Sequence, residues 1–309
     1  MRICVTGGAG FIGSNLVGRL LDDGHEVLAI DNFASGKLKN INEFIDNPNF
    51  RFVETSIMDG NLKEILKGIR VVFHEAAKVD VRESVRKPES TFMTNVDGTE
   101  NILRACADCG VKRIVFASSC AVYSEDHAPS SESSSLSPKS PYAESKIIGE
   151  NMVRKFSIDN GIEYAILRYF NVYGPKQRID SDYSGVIPTF ISRALDGEDL
   201  VINGDGEQIR DFIFVDDVVK ANTLCLNANA TGETLNVGTG IGTSINDLAR
   251  MVIELTGSIS KLSHAENNAE EIRHSVADTT NATLRLGYSS GYHIEDGLKL
   301  TIDWIRNNK

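Results

Sequence analysis

No apolar run in the chain approaches the length of a bilayer span, about 20 residues. Nor does a basic stretch near the start lead into an uninterrupted apolar core. No membrane crossing and no secretory leader are expected, and a cytoplasmic location is. Positive charge is also in short supply, with 32 Lys and Arg against 43 Asp and Glu and a net charge of −11. Phosphate backbones need a basic surface, so nucleic acid is excluded as a general partner. A single anionic ligand held by local cations and backbone amides is not excluded. Cysteine is sparse and lacks a metal pattern: Cys106 and Cys109 form a C-x-x-C inside a helical run, and Cys4, Cys120 and Cys225 provide no second pair. The histidines form no pair at ligand spacing, and no metal is expected.

The ordinary balance of 41% hydrophobic and 24% charged residues describes a globular protein. Its 309 residues suffice for one large α/β unit plus an appended lobe. Short apolar runs at residues 3–5, 26–30, 50–54, 71–74 and 113–117 alternate with amphipathic stretches at 62–67 and 91–108. A helix over 142–160 and a strand over 164–168 continue the series. Strands and helices alternating in this way predict a Rossmann-type, doubly wound parallel sheet. Beyond about residue 171 the rhythm breaks at Pro175, Pro188 and the turn Asn203-Gly204-Asp205-Gly206, which suits a smaller mixed α/β lobe. The expected division is a cofactor domain over 1–170, with segments returning from the C-terminal half, and a substrate lobe over 171–309. The serine-rich stretch 130–140 reads as a loop beside the site.

Thr6-Gly7-Gly8-Ala9-Gly10-Phe11-Ile12-Gly13 lies between the first strand and the first helix. Glycine serves there for a sharp turn, for close approach to a pyrophosphate and for tight helix–strand packing. The helix N-terminus offers free amides and a positive dipole end to phosphates. Asp31 closes the second strand about 20 residues on, where a carboxylate accepts both ribose hydroxyls and repels a 2′-phosphate, selecting NAD over NADP. Tyr142 and Lys146 form the chain's single Y-x-x-x-K, one turn apart on a predicted helix. The lysine cation is expected to stabilise the tyrosine as phenolate, and Ser118-Ser119 at the preceding strand end offers a hydroxyl to share the substrate proton.

With these residues in place, the chain resembles the extended short-chain dehydrogenase/reductases, and among them the UDP-glucose 4-epimerases. The resemblance runs nearly end to end through TGGAGFIG (6–13), DNFASG (31–36), HEAA (74–77), NVDGT (95–99), SSCAVY (118–123), PYAESK (141–146), LRYFNVYGP (167–175), GDGEQIRDFIFVDDV (204–218) and LNVGTG (235–240). It implies Ser119, Tyr142 and Lys146 as the catalytic triad, with Lys146 also gripping the nicotinamide ribose. It implies NAD contacts from Gly7, Gly10, Phe11, Ile12, Gly13, Asp31, Asn32, Ser35, Gly36, Ser56, Ile57, Ala76, Ala77, Asn95, Ser118 and Tyr169. It implies a UDP-sugar site of Asn171, Val186, Val201, Asn203, Arg210 and Ser275 beside Ser119 and Tyr142. Arg210 is read independently as a phosphate clamp in a turn, a surface pair with Asp211 being the other reading.

Dehydratases and decarboxylases of the same family carry acidic residues just after the catalytic Ser/Thr. Cys120 and Ala121 stand there in this chain, which favours epimerisation through a 4-keto sugar. The small Ser275, in IRHSVAD (272–278), implies room for an N-acetyl group, so UDP-GlcNAc and UDP-GalNAc are expected beside UDP-glucose and UDP-galactose. Two positions depart from the pattern: Thr55-Ser56 replaces Gly-Asp near the adenine, and Asn268-Ala269-Glu270-Glu271 replaces an R-x-G-D at the diphosphate, with Arg273 a possible substitute. Another NAD-dependent dehydratase or reductase, and a non-catalytic dinucleotide sensor, are the competing readings. Residues 85–108 and 142–160 resemble the family's dimer helices, so a homodimer is expected.

Overall fold

A computed structural model describes residues 1–123, 128–179, 185–227, 230–266 and 272–308. Strands β1 (Arg2–Thr6), β2 (Glu26–Asp31), β3 (Phe50–Glu54), β4 (Val71–His74), β5 (Arg113–Ser119) and β6 (Glu163–Tyr169) carry the first half. Between them lie helices α1 (Phe11–Asp22), α2 (Leu62–Ile65), α3 (Val81–Arg86), α4 (Pro88–Phe92), α5 (Gly98–Cys109) and α6 (Pro141–Asn160). The second half adds β7 (Asn171–Tyr173), α7 (Val186–Leu195), β8 (Leu200–Asn203), β9 (Ile209–Arg210), β10 (Phe212–Phe214), α8 (Val215–Leu224) and β11 (Glu233–Val237). It ends with β12 (Thr243–Ser244), α9 (Ile245–Thr256), β13 (Leu262–Ala265), β14 (His274–Ser275), α10 (Thr280–Leu286) and α11 (Ile294–Asn308).

Strand order β11-β6-β5-β4-β1-β2-β3 makes a seven-stranded sheet in which every pairing is parallel. Period-two alternation sorts its side chains into two cores. Ile3, Val5, Val27, Ala29, Val115 and Leu167 meet α1 and α8 on one face. Cys4, Leu28, Ile30, Val72, Ile114 and Ile166 meet α2, α5 and α6 on the other. Both faces are covered, as a parallel sheet requires, and the C-terminal ends of all seven strands share one edge. The expected fold class holds, and the returning segment is β11 at the edge beside β6.

Two elements differ from the sequence reading. The helical pattern over 91–108 is split by a π-turn at Met93–Asp97, and α3 was not foreseen. Small satellite sheets, β10 with β7, β12-β9-β14 and β13 with β8, form the C-terminal part. The serine-rich stretch docks Ser130 against the 276–278 segment, where its amide donates to the Val276 carbonyl and its own carbonyl accepts from the Asp278 amide.

Helix α6 begins cleanly because Ser140 caps it, accepting from the Ala143 amide, and Pro141 occupies its first turn. It lies close on β5, since a Cβ at Gly149 would stand 2.6 Å from the Phe116 ring. A buried pair fixes it further. Arg168 on β6 meets both carboxylate oxygens of Glu150 on α6, at 2.8 and 2.7 Å, and Ser118 donates to Glu150 at 2.6 Å. Removing one partner of such a pair leaves an uncompensated charge. Glu150→Ala is expected to cost about 3–5 kcal/mol of stability by denaturant unfolding, and an unchanged transition midpoint would contradict the role given to the pair.

Candidate active site

The glycine loop turns off β1 at Gly7, whose φ of +66° is open to glycine because a Cβ would stand 2.9 Å from the Ala76 backbone. A Cβ at Gly13 would meet the Gly7 carbonyl, so α1 can approach the loop this closely only without one. Gly10 is the N-cap of α1 and offers no side chain to the first-turn amides, which leaves them open to an anion. Gly7, Gly10, Phe11, Ile12, Gly13, Asp31, Ser35, Ala76 and Ala77 line one cleft. Asp31 accepts from the Ala9 amide at 3.0 Å and the Phe33 amide at 2.8 Å, tying the 31–36 loop to the glycine loop. Burial raises its carboxyl and these amides oppose the rise. An uncapped helix end, a loop that tolerates no Cβ and a carboxylate at the end of β2 together fit a dinucleotide.

The other nominated cofactor residues make the following contacts within the protein. Asn95, presented by the π-turn, accepts from the Lys78 amide and donates to the Lys78 carbonyl and to Ser145 Oγ, stapling the cleft wall to α6. Ser118 spends its hydroxyl on Glu150. Ile57 packs its side chain into the core, where a Cβ on Gly98 would meet it at 2.5 Å. Ser56 Oγ accepts from the Met58 amide, and Asn32 Oδ1 accepts from Ala34. A Cβ at Gly36 would stand 2.8 Å from Asp31 Oδ2. Tyr169 donates to Glu75 Oε1 at 2.9 Å and accepts from Asn222 Nδ2 at 2.8 Å.

Sequence reasoning missed Glu75, Asp80, Lys176, Gln177 and Arg178 in the cleft lining. Within HEAA only the two alanines had been assigned, and nothing in the spacing pointed to the segment after β7. It also missed the support beneath. His74 accepts from the Thr6 hydroxyl at Nδ1, 2.7 Å, and donates from Nε2 to Thr99 at 3.0 Å. That tautomer follows because Thr99 gives its own proton to the Asn95 carbonyl. Burial pushes His74 down to about 3, so it is a neutral strut.

Ser119, Tyr142 and Lys146 come together at the C-terminal end of β5. The Ser119 hydroxyl lies close enough to the Tyr142 phenol to favour its ionised form, and Lys146 Nζ donates to the Ala117 carbonyl at 2.8 Å and stands 5.9 Å from the centre of the Tyr142 ring. Burial pushes the Tyr142 phenol up to about 12, with Ser119 opposing the rise. Lys146 is itself pushed down to about 8 by burial, with Glu75 and Glu150 resisting the fall.

The sugar side is assembled from the short strands. Ser275 is the register partner of Arg210 and lies close enough to Cys120 to oppose the rise of its thiol. Arg210 stands in β9, not in a turn, and one of its N–H groups donates to the Ile209 carbonyl. The surface pairing with Asp211 does not form. Asp211 is fully buried, with its oxygens accepting from Thr239 N and Oγ1, Gly240 N and Ala277 N. Asn171 donates to the Asp211 carbonyl, Val186 opens α7, and Val201 and Asn203 lie on the exposed side of β8. Arg273, the candidate substitute at the diphosphate, pairs on the surface with Asp205 at 2.7 and 2.8 Å. The 268–271 departure lies outside the described residues.

Residues 3–238 match the model of the NAD dependent epimerase/dehydratase family. The chain belongs to that family. Over 318 residues it is 37% identical to the UDP-N-acetyl-alpha-D-glucosaminuronate decarboxylase of Bacillus cytotoxicus, covering 99% of this chain and 98% of that one. It is 35% identical over 311 residues to the UDP-glucose 4-epimerase of Mycolicibacterium smegmatis, covering 99% of each. Among solved structures, the UDP-glucose 4-epimerase of Thermotoga maritima with UDP-glucose superposes with a TM-score of 0.95 at 38% identity, over 100% of this chain and 99% of that one. NAD is therefore the family's cofactor, and the cleft fits it. Among the described residues no helix is long and apolar enough to cross a membrane, and no cluster of His, Cys, Asp or Glu could hold a metal.

A buried ammonium has a measurable cost. Because the folded-state pKa of Lys146 lies below its ordinary 10.5, the cost is fully present below pH 8 and is relieved as pH rises from 8 to 10.5. Lys146→Met is expected to stabilise the fold at neutral pH by about 1–3 kcal/mol. The gain should shrink toward zero above pH 10.5, as read by urea unfolding at several pH values.

Proposed function

We propose that the chain is a UDP-sugar 4-epimerase acting on UDP-glucose and UDP-galactose and on their N-acetylated counterparts. The observation that carries this reading is the setting of Cys120. The family contains epimerases, decarboxylases and dehydratases, and overall identity does not separate them. The position after Ser119 holds a thiol that burial keeps neutral, raised to about 11, with the Ser275 hydroxyl and Arg210 opposing the rise. Such a group cannot protonate a departing hydroxyl at neutral pH.

When bound, NAD supplies the hydride acceptor and donor for C4 of the sugar. Tyr142 takes the 4-hydroxyl proton as C4 is oxidised and returns it when the keto sugar, turned within the pocket, is reduced on its other face. Ser119 shares that proton, and Lys146 orients the cofactor ribose. Arg210 and Asn171 hold the diphosphate, with Val186, Val201 and Asn203 around the nucleotide and Ser275 leaving space at C2. Residues 1–170, completed by β11 and α8, form the cofactor unit, and 171–309 the sugar-nucleotide lobe. The exposed Val81, Val85 and Met93 near α6 support a homodimer through these helices, in a cytoplasmic enzyme.

Incubation with UDP-galactose and UDP-N-acetylgalactosamine separately is expected to give the gluco epimers with no loss of mass. A product lighter by water would overturn the reading, as would release of carbon dioxide from UDP-glucuronic acid offered in a parallel incubation. Tyr142→Phe should lower kcat by at least about a hundredfold. Ser275→Tyr should abolish turnover of the N-acetylated sugar while sparing UDP-galactose, and equal turnover of both would remove the role assigned to Ser275.

A further inference from the structure

The wall of the dinucleotide cleft contains an ionisable group that the proposed reaction leaves without a task. Glu75 is the first residue beyond β4, half-buried, and lines the cleft beside Gly7 and Ala76. Its backbone passes close to the glycine loop, since a Cβ on Gly7 would stand 3.1 Å from the Glu75 carbonyl carbon. Its side chain is held as well. The Tyr169 hydroxyl donates to Oε1 at 2.9 Å, and Tyr169 is braced by Asn222 Nδ2 at 2.8 Å, itself anchored on the Val218 carbonyl. Three buried groups on β6 and α8 thus serve to aim one carboxyl.

We propose that Glu75 is a positioning residue for the redox state of the cofactor: its carboxylate, fixed by Tyr169 on the cleft wall near Lys146, favours binding of NAD⁺ over NADH. The proposal rests on the assignment of this cleft to NAD and goes beyond the epimerase reading. A fixed anion in a poorly solvated wall interacts more favourably with a cationic nicotinamide than with a neutral one. Burial pushes the Glu75 carboxyl up to about 7, opposed by Tyr169 and Lys146, so near neutral pH added positive charge decides whether it is ionised. The surrounding titratable groups do not take over that part. Lys146 approaches from α6 and carries the charge that Glu75 helps retain. Tyr169 on β6 is held far above its ordinary pKa, His74 on β4 is neutral, and the thiol of Cys225, just past α8, is raised to about 12. Asp31, Asp80, Lys176 and Arg178 line the same cleft at other points. A preference for the oxidised form suits an epimerase, because it favours return of the hydride to the keto sugar over escape of that sugar from a reduced enzyme.

The test is the ratio of dissociation constants for NADH and NAD⁺, measured calorimetrically on cofactor-free protein between about pH 5.5 and 8.5. For the natural chain the ratio should rise with pH through a midpoint near 7, as Glu75 ionises, and NAD⁺ binding at pH 6.5 should release protons. In Glu75→Gln the ratio should fall by roughly tenfold and lose its pH dependence below 8, while Glu75→Asp should restore part of both. Tyr169→Phe, which removes the donor, should move the midpoint upward. A flat ratio in the natural chain overturns the proposal without any variant, as does a Glu75→Gln protein that keeps both the ratio and its pH dependence. Binding is read here without turnover, so absence of epimerised product would remove the functional reading and leave this one intact.

Discussion

The site depends on how closely α6 is seated on β5. Gly149 allows the helix to approach the Phe116 ring, and the Glu150–Arg168 pair locks it at that height. From that contact Lys146 reaches the Ala117 carbonyl and Tyr142 reaches Ser119. A cluster drawn from one strand and one helix, as Ser119, Tyr142 and Lys146 are, is only as well placed as the gap between them. A methyl group at Gly149, or loss of the buried ion pair, acts on chemistry through that gap.

The second feature is the charge that the seat confines. Glu75, Lys146 and Tyr142 lie where solvent is largely excluded, and each is displaced toward its neutral form: the carboxyl up to about 7, the amine down to about 8, the phenol up to about 12. Desolvation is the first cause in all three, and the mutual attraction of Glu75 and Lys146 opposes it. The bare cleft therefore holds Glu75 and Lys146 near balance and Tyr142 as a neutral phenol. Positive charge brought in by an oxidised cofactor acts on all three in one sense, toward carboxylate, free amine and phenolate.

Around this centre the support is polar and fully used. His74, Thr6, Thr99 and Asn95 form a chain of hydrogen bonds that sets the 75–78 segment against the glycine loop and against α6. Asn95 and Ser118, which the resemblance places beside NAD, also belong to this frame through their hydrogen bonds to Lys78, Ser145 and Glu150, and Ile57 packs its side chain into the core. They hold the wall in place, and the wall is formed by Gly7, Ala76, Ala77 and Glu75.

Periodicity and glycine spacing were enough to determine the doubly wound sheet, the strand–glycine loop–helix unit, Asp31 and the Tyr142–Lys146 pair. Each is a local pattern whose meaning survives when read one segment at a time. The tertiary structure alone decided what depends on approach between distant segments. Asp211 abandons Arg210 because three loop amides and a hydroxyl converge on it. Arg273 pairs with Asp205, Cys120 comes close to Ser275 across 155 positions of chain, and Glu75 finds Tyr169 and Lys146. The protonation of Tyr142 was decided there too, because a phenol's pKa follows the solvent it loses and the charges that reach it, and neither is written in the interval of four between a tyrosine and a lysine.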